Sequence, residues 1–171
     1  MDAALDAPDG RYYWSQGLGL HFTDWGNPSA PPLILVHGGL DHSRSWDHLA
    51  RALRATFHVV APDLRGHGES DWATGSSYSL ADHVYDLTCL MKSAGFEKVT
   101  IIGHSMGGMV NLTYAGNFPN KVSRLVVLDG VTSGSPIGSA ISTSSRSGKS
   151  TAMCPWPMGR ANSDPEPAAN A

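Results

Sequence analysis

The chain has 171 residues, a formal net charge of −3 at pH 7 and 41% hydrophobic residues, which suits a single domain with a buried core. It has no block of basic residues and no stretch near the ~20 apolar residues that span a bilayer, so composition favours neither nucleic acid nor a membrane as partner. The first residues lack the basic and apolar regions of a signal peptide, and two cysteines are too few for a disulfide framework. We therefore expect a cytoplasmic protein.

Six strands are predicted in chain order. Residues 1–10 carry no clear pattern and are expected to form a loose leader. Aromatic and alternating residues then predict a hairpin around Gly17, and four continuous apolar runs further on are typical of strands covered on both faces. The predicted strands are Tyr12–Trp14, Leu18–Trp25, Leu33–Val36, Phe57–Ala61, Val99–Ile102 and Leu125–Leu128.

Three helices are predicted between the apolar strands. The first, over 43–54, has Ser43 or Ser45 as its expected N-cap, and the second, over 80–94, ends before Gly95. The third covers 107–117. This alternation predicts an α/β fold: a mostly parallel sheet flanked by helices, preceded by an N-terminal antiparallel hairpin. In such sheets the loops at the carboxyl ends of the strands carry the chemistry.

The composition changes after Val131. Residues 132–171 are dense in Ser, Gly, Pro, Ala and Thr and show no helical or strand period. A segment that buries so little apolar surface is expected to be disordered, or to be an aberrant product of a frameshift or abnormal splicing. The predicted organisation is a leader (1–10), a folded core (11–131) and a low-complexity tail (132–171).

A Gly-x-Ser-x-Gly pattern, Gly103-His104-Ser105-Met106-Gly107, follows the third apolar run and precedes a helix. It predicts a sharp strand-to-helix turn in which small residues relieve crowding and the serine hydroxyl rises out of the sheet. The N-terminus of the helix would offer free N–H groups to a developing negative charge. Ser105 is therefore the candidate nucleophile, against the simpler interpretation of a turn serine.

All eight histidines lie at or before position 104, although a serine nucleophile needs a base to take its proton. Adjacent residues of such a turn point in different directions, so His104 is interpreted as a packing residue. His37 is expected to brace the loop after its strand, and His42 and His67 to have surface or turn roles. Asp63 is expected to tie the loop that follows it through hydrogen bonds.

Four segments together resemble the α/β-hydrolase fold family over about two-thirds of the chain. They are His37-Gly38-Gly39, the run Pro62–Ser70, the Ser105 turn, and Leu125–Asp129, each behind its own strand. The resemblance implies a serine hydrolase that acts on ester-like or other acyl carbonyl groups of a small-molecule substrate, through a covalent acyl-enzyme. It implies no cofactor, and no His, Cys, Asp or Glu cluster has the spacing of metal ligands.

The resemblance also assigns roles residue by residue. Ser105 matches the nucleophile, and the backbone N–H of Met106 matches one half of the oxyanion hole. Gly39 matches the other half, with Leu40 as the less favoured choice. Asp129 stands where some relatives keep the acid of a catalytic triad, and otherwise it is a loop residue at the end of a strand.

Several alternatives stay open. The family's histidine follows its acid near the end of a longer chain, so we expect a truncated member whose catalysis is impaired. A second hypothesis is a non-catalytic binding protein or an inactive truncated product, and a third is that a partner chain supplies the histidine. The sequence does not give the oligomeric state. The serine argues against the epoxide- and haloalkane-cleaving branches of the family, which resemble this chain but use an aspartate at that position.

Overall fold

A computed structural model of the chain describes residues 7–130. The elements are β1 (Asp9–Ser15), β2 (Leu18–Asp24), β3 (Pro32–Val36), a 3₁₀ turn (Ser43–Trp46), α1 (Asp47–Leu53), β4 (His58–Pro62), α2 (Leu80–Ser93), β5 (Val99–His104), α3 (Met106–Asn117), a second 3₁₀ turn (Pro119–Lys121) and β6 (Val122–Leu128). The strands form one mixed sheet in the order β1-β2-β4-β3-β5-β6. The predicted α/β fold is confirmed, and the predicted tail lies outside the described residues.

The N-terminal hairpin is closed by a tight two-residue turn. Gln16 and Gly17 have φ values of 51° and 80°, the left-handed conformation that both central residues of a type I′ turn require. The strand before the turn is longer than predicted, because Asp9 and Gly10, expected in the leader, pair with β2. These two residues have little strand propensity, so backbone pairing with β2 rather than local preference places them in the sheet.

The order of the strands places a crevice at one end of the sheet. β4, β3, β5 and β6 are parallel neighbours, and β2 joins β4 antiparallel. From β3 the chain crosses to β4 on one side, and it later returns past β3 to form β5 on the other side. Connections that leave two neighbouring strands in opposite directions open a crevice at their carboxyl ends, where ligands bind in open α/β sheets. Here that crevice lies between the loops that follow β3 and β5.

Apolar side chains cover both faces of the sheet. Because successive residues of a strand point to opposite faces, Leu33 and Leu35 pack in one layer and Ile34 and Val36 in the other. The first layer includes Trp25, Ala50, Val59 and Ala61, and lies under α1. The second lies under α2 and α3 and includes the predicted helical stripe Val84, Leu87, Leu90 and Met91, together with Val110 and Tyr114.

The first predicted helix begins differently from the expectation. Residues 43–46 form a 3₁₀ turn, and the α-helix starts only at Asp47. Neither Ser43 nor Ser45 is its N-cap: His42 caps the turn by accepting the Arg44 N–H. The Ser43 N–H donates at 2.6 Å to the buried carboxylate of Asp63, so a tertiary contact replaces the local cap.

The other two helices follow the predicted bounds closely. α2 starts with a capping box between Ser79 and Asp82 and ends just before Gly95, whose φ of 71° suits a residue that terminates a helix. α3 starts at Met106, one residue before the predicted position. Within residues 7–130, no helix has both the length and the apolar character needed to cross a bilayer.

β6 lies at the edge of the described sheet. It begins at Val122, three residues before the predicted start, and pairs with β5 through His104 opposite Leu128. Val126, Val127 and Leu128 are 40%, 36% and 42% exposed, so this strand presents apolar side chains to solvent. An apolar edge strand is prone to association with other strands.

Candidate active site

Ser105 is the single residue between β5 and α3, and its backbone is held in an unusual conformation. Its φ and ψ angles are 49° and −115°, a region that residues other than glycine rarely occupy. The Ser105 N–H donates to the Leu128 carbonyl at 2.9 Å, and the Ser105 carbonyl accepts the Met109 N–H at 3.1 Å. The side chain is partly exposed. The sequence therefore folds as predicted here, with a serine on a sharp turn at the carboxyl end of the sheet.

Glycines around Ser105 allow this turn to pack against its neighbours. A Cβ atom at Gly107 would overlap the carbonyl oxygens of Val36 and His37, and one at Gly103 would lie 2.5 Å from the Gly107 carbonyl oxygen. Real Cβ atoms do not approach oxygen this closely, so each position requires glycine. The spacing of the Gly-x-Ser-x-Gly pattern thus reflects direct contact between the start of α3 and the end of β3.

The loop after β3 reaches the same turn. A Cβ atom at Gly38 would lie 3.3 Å from the Ser105 Cβ and 2.8 Å from the His104 Nδ1. Gly39, the next residue, is exposed, and a Cβ atom there would meet nothing within 4 Å. The structure therefore places Gly38, the neighbour of Gly39, against the Ser105 turn, and the oxyanion roles of Gly39 and Met106 stay a prediction.

The main-chain N–H groups near Ser105 differ in whether they already have a hydrogen-bond acceptor. Met106 N–H belongs to the first turn of α3, where N–H groups have no acceptor inside the helix. Gly39 N–H has no hydrogen-bond acceptor among residues 7–130. Leu40, whose φ is 60°, instead donates its N–H to the Nε2 atom of His67 at 3.4 Å. Within the part of the chain that the structure describes, Met106 and Gly39 thus offer free N–H groups, whereas that of Leu40 is engaged.

Asp129 lies one residue beyond β6, next to Leu128, whose carbonyl binds the Ser105 turn. It has a φ of 49°, a conformation that aspartate tolerates better than most side chains. Its side chain is exposed and forms no hydrogen bond or ion pair with the part of the chain that the structure describes. The fold therefore brings Asp129 near Ser105 but does not join the two by a contact, and its role as a triad acid stays a prediction.

No histidine contacts the Ser105 hydroxyl among the described residues, where this hydroxyl has no hydrogen-bond partner. His104 lies over Gly38 but is exposed, so it packs on the loop after β3 without being buried in a core. His42 is exposed and caps a turn, in agreement with its predicted surface role.

His37 braces the loop after β3, as the sequence predicted. Its side chain is completely buried, with its Nδ1 atom 2.6 Å from the Gly38 carbonyl and its Nε2 atom accepting the Leu64 N–H at 3.0 Å. A carbonyl only accepts, so the proton lies on Nδ1 and the ring is neutral. Burial lowers the pKa of His37, which keeps it in this form. The ring thereby fixes Gly38 against the loop that follows β4.

Asp63 ties several segments together, including the loop that follows it, as predicted. Its carboxylate accepts the N–H groups of Ser43 at 2.6 Å and Glu69 at 3.1 Å, and it contacts the His21 Nδ1 at 2.7 Å. Burial alone would raise the pKa of Asp63, but the hydrogen bonds from Ser43, Glu69 and His21 outweigh it and leave the pKa below its ordinary value. A Cβ atom at Gly68 would overlap this carboxylate, so that glycine permits the loop to fold around it.

Two side-chain contacts near the site have no signal in the sequence. Arg65 is fully buried and binds both carboxylate oxygens of Asp86 at 2.7 Å, which anchors the loop after β4 to α2. The hydrogen bond to Asp86 raises the pKa of Arg65. The contact between His67 and Leu40 is the second. Both join residues more than twenty positions apart, so local spacing does not reveal them.

The described residues contain no cluster of three or more His, Cys, Asp or Glu side chains that could hold a metal ion. Two surface cavities of the described residues, of about 80 and 220 Å³, lie away from Ser105. The smaller is lined by Gln16, Leu18, Arg65, Ala73, Thr74 and Ser77. The larger is lined by Arg11, Tyr12, Phe22, Asp24, His58, Val60, Ser93 and Ala94. Ser105 itself lies at the carboxyl end of β5, where the strand order predicts a crevice.

The sequence of this chain is similar to those of several proteins named as hydrolases. Epoxide hydrolase 4 of Mus musculus is 36% identical over 66% of this chain and 32% of its own length. A serine hydrolase-like protein of Homo sapiens is 35% identical over 61% of this chain and 52% of its own. Lipase LipV of Mycobacterium tuberculosis is 38% identical over 66% of this chain and 42% of its own.

The fold of this chain is also similar to solved structures of hydrolases. A membrane phospholipase A aligns with a TM-score of 0.71 and 27% identity, over 75% of this chain and 41% of its own. Epoxide hydrolase A from Mycobacterium thermoresistibile aligns with a TM-score of 0.67 and 32% identity, over 70% of this chain and 38% of its own.

This chain spans about a third to a half of the length of the curated relatives named above. The model of the alpha/beta hydrolase fold family matches residues 31–147, more than half of the chain. The match includes the loop after β3, Asp63 and the Ser105 turn. The chain therefore belongs to the alpha/beta hydrolase fold family.

Proposed function

We propose that this protein is a serine hydrolase that acts on ester-like or other acyl carbonyl groups of small molecules. The observation that carries the proposal is the geometry of Ser105. Its strained backbone places it alone between β5 and α3, with Gly38 packed directly beside it. Two free main-chain N–H groups, of Gly39 and Met106, belong to the segments on either side. Main-chain donors of this kind are what an acyl-transfer transition state requires.

The chemistry assigned to these residues is acyl transfer through a covalent intermediate. The Ser105 Oγ attacks the carbonyl carbon, its proton passes to a base, and the carbonyl oxygen becomes an oxyanion that accepts hydrogen bonds from Gly39 and Met106. Collapse of this intermediate expels the alcohol, which takes up a proton, and leaves an ester on Ser105. Water then cleaves that ester, which releases the acid and restores the hydroxyl.

Acyl substrates suit a serine better than epoxides do. The relatives include a lipase and serine hydrolase-like proteins as well as an epoxide hydrolase. If Ser105 opened an epoxide, the product would be an ether, which water does not cleave at a useful rate, so the enzyme would stop after one turnover. Attack on an acyl carbonyl gives an ester, which water cleaves. This difference favours the acyl reaction for the present chain.

The proposed site has no proton acceptor for Ser105 among the described residues. Among residues 7–130 the Ser105 hydroxyl has no hydrogen-bond partner, and the sequence has no histidine after His104. Loss of the base in a serine hydrolase costs about 10⁴–10⁶ in rate, although the oxyanion site retains some catalysis. We therefore propose that this chain hydrolyses esters slowly. The same observation supports the alternative that it binds small molecules without catalysis.

An ester assay separates the two functions. The initial rate of p-nitrophenyl butyrate hydrolysis is measured for the wild type, Ser105→Ala and the control Ser93→Ala, which removes an exposed serine at the end of α2. Acyl chemistry predicts a slow rate that disappears in Ser105→Ala and persists in Ser93→Ala. If the folded wild type and Ser105→Ala hydrolyse the ester equally, the hydrolase proposal fails and the non-catalytic function stands.

A further inference from the structure

We propose that His67 is a positioning residue for the oxyanion site. It accepts the N–H of Leu40 and so holds the loop after β3 in the conformation that leaves the Gly39 N–H free beside Ser105. The catalytic consequence rests on the proposed function, but the contact itself does not. Four observations support it, and they concern the tautomer of His67, its anchoring, the backbone of Leu40 and the space around Gly39.

The ring nitrogens of His67 have distinct roles. The Nδ1 atom lies 3.0 Å from the Arg65 carbonyl oxygen, which can only accept a hydrogen bond. The proton of the neutral ring is therefore on Nδ1, and Nε2 carries the lone pair. The Leu40 N–H donates to that lone pair in a long hydrogen bond of 3.4 Å.

His67 is anchored on the β4 side of the crevice. Arg65, whose carbonyl it binds, is fully buried and paired with Asp86. The His67 ring also packs on the ring of His37, with centroids 5.2 Å apart, and His37 is itself bonded to the Gly38 carbonyl. His67 therefore connects a rigid part of the loop after β4 to the loop after β3.

Leu40 needs such a support. Its φ of 60° is unfavourable for leucine, and its side chain is fully exposed, so no packing of the side chain offsets the strain. The hydrogen bond to His67 is therefore a main restraint on this residue. It also engages the N–H of Leu40, which the sequence gives as the less favoured choice for one half of the oxyanion site.

Gly39 is then the donor that remains. Its N–H has no acceptor among residues 7–130, and the space beside its Cα is open. Its neighbour Gly38 is in contact with Ser105. The Gly39 N–H lies in the peptide between Gly38 and Gly39, whose carbonyl is held by His37, and the His37 ring packs on His67. If His67 is removed, Leu40 relaxes out of its strained conformation and the His37 ring loses this packing partner. The peptide that carries the Gly39 N–H is then held by fewer contacts, and the direction of this N–H is less fixed.

The first test measures hydrogen exchange of the Leu40 amide by NMR in the full chain. His67→Phe keeps a ring but has no acceptor, His67→Gln keeps an acceptor oxygen, and His48→Phe is an exposed control on α1. The inference predicts a Leu40 amide that is protected in the wild type, His67→Gln and His48→Phe and exchanges faster in His67→Phe. Equal protection in all four folded proteins would overturn it, whether or not Ser105 is reactive.

The second test measures the rate at which a fluorophosphonate labels Ser105 in the same proteins. When the fluorophosphonate reacts with Ser105, one of its oxygens lies where the oxyanion would lie. A misdirected Gly39 N–H would therefore slow the labelling reaction. We expect His67→Phe to react between about 10- and 100-fold more slowly, with most of the loss restored in His67→Gln. If the wild type is labelled and His67→Phe reacts at the same rate, His67 does not position the site, although Ser105 is still a nucleophile. If the wild type is not labelled even with added imidazole, the proposed function fails and the exchange measurement alone decides the role of His67.

Discussion

The N–H of Ser105 donates to the carbonyl of Leu128 at 2.9 Å, so the candidate nucleophile is held by the strand next to its own. This bond places the end of β6, and Asp129 directly after it, beside the turn. β6 is also the edge of the described sheet and exposes apolar side chains. The hydrogen bond that holds Ser105 therefore comes from an edge strand whose apolar side chains are partly exposed.

The contact between α3 and β3 predicts opposite effects for two glycines of the same helix. Gly107→Ala forces a methyl group onto the carbonyls of Val36 and His37, and should destabilise the fold by about 1–3 kcal/mol or more. Gly116→Ala meets nothing within 4 Å and should stabilise it by about 0.5–1 kcal/mol, because alanine has the better helix propensity. Urea denaturation measures both. Equal effects of the two substitutions would contradict the close approach at Gly107.

The carboxylate of Asp63 predicts acid sensitivity. Its pKa is lower in the folded state than in the unfolded chain, so it stabilises the fold above the unfolded value of about 3.9, and this stabilisation is lost as the pH falls through the folded value. Asp63→Asn should lower the free energy of unfolding by about 1.5–3 kcal/mol at pH 7. The difference from the wild type should shrink as the pH approaches 3.

Urea denaturation at pH 7, 5, 4 and 3 checks this prediction, with the exposed Glu97→Gln as the control for a lost surface carboxylate. A difference between the wild type and Asp63→Asn that stays constant over this range would show that the charge of Asp63 has no part in its hydrogen bonds.

The buried pair of Arg65 and Asp86 predicts strong coupling. Removing one partner leaves the other charged and buried, so Asp86→Asn should cost about 3–5 kcal/mol. The double variant Arg65→Met/Asp86→Leu should cost less than the sum of its single variants. The exposed pair of Arg44 and Asp47 is the control, and Asp47→Asn should cost less than about 1 kcal/mol. Additive losses at the buried pair, measured by urea denaturation, would argue against the coupling.

The sequence predicted the turn around Ser105 because this turn depends on local spacing. Gly103 and Gly107 are required by close backbone contacts, and Gly38 by its contact with the side chains of His104 and Ser105. The buried strands of the sheet could also be predicted, because each is a continuous run of apolar residues in the sequence. The hydrogen bonds of Asp63 to its own loop were anticipated for the same reason, since they span only a few residues.

Contacts between distant segments were not predictable. Ser43 was expected to cap a helix by local preference, but Asp63, twenty residues away, takes its N–H. The bond between Leu40 and His67 depends on how the loops after β3 and β4 meet, which no spacing in the sequence encodes. It engages the N–H of Leu40, which the sequence analysis gave as the less favoured choice, and leaves that of Gly39 without an acceptor among residues 7–130.

The most direct test of the central claim is the rate of Ser105 labelling by a fluorophosphonate, followed by intact mass and peptide mapping, with and without added imidazole. A nucleophile that is in place but lacks its proton acceptor predicts slow labelling that imidazole accelerates and that Ser105→Ala abolishes. Rapid labelling without imidazole would contradict the missing base. The absence of labelling in folded protein, with or without imidazole, would contradict the assignment of Ser105 as a nucleophile.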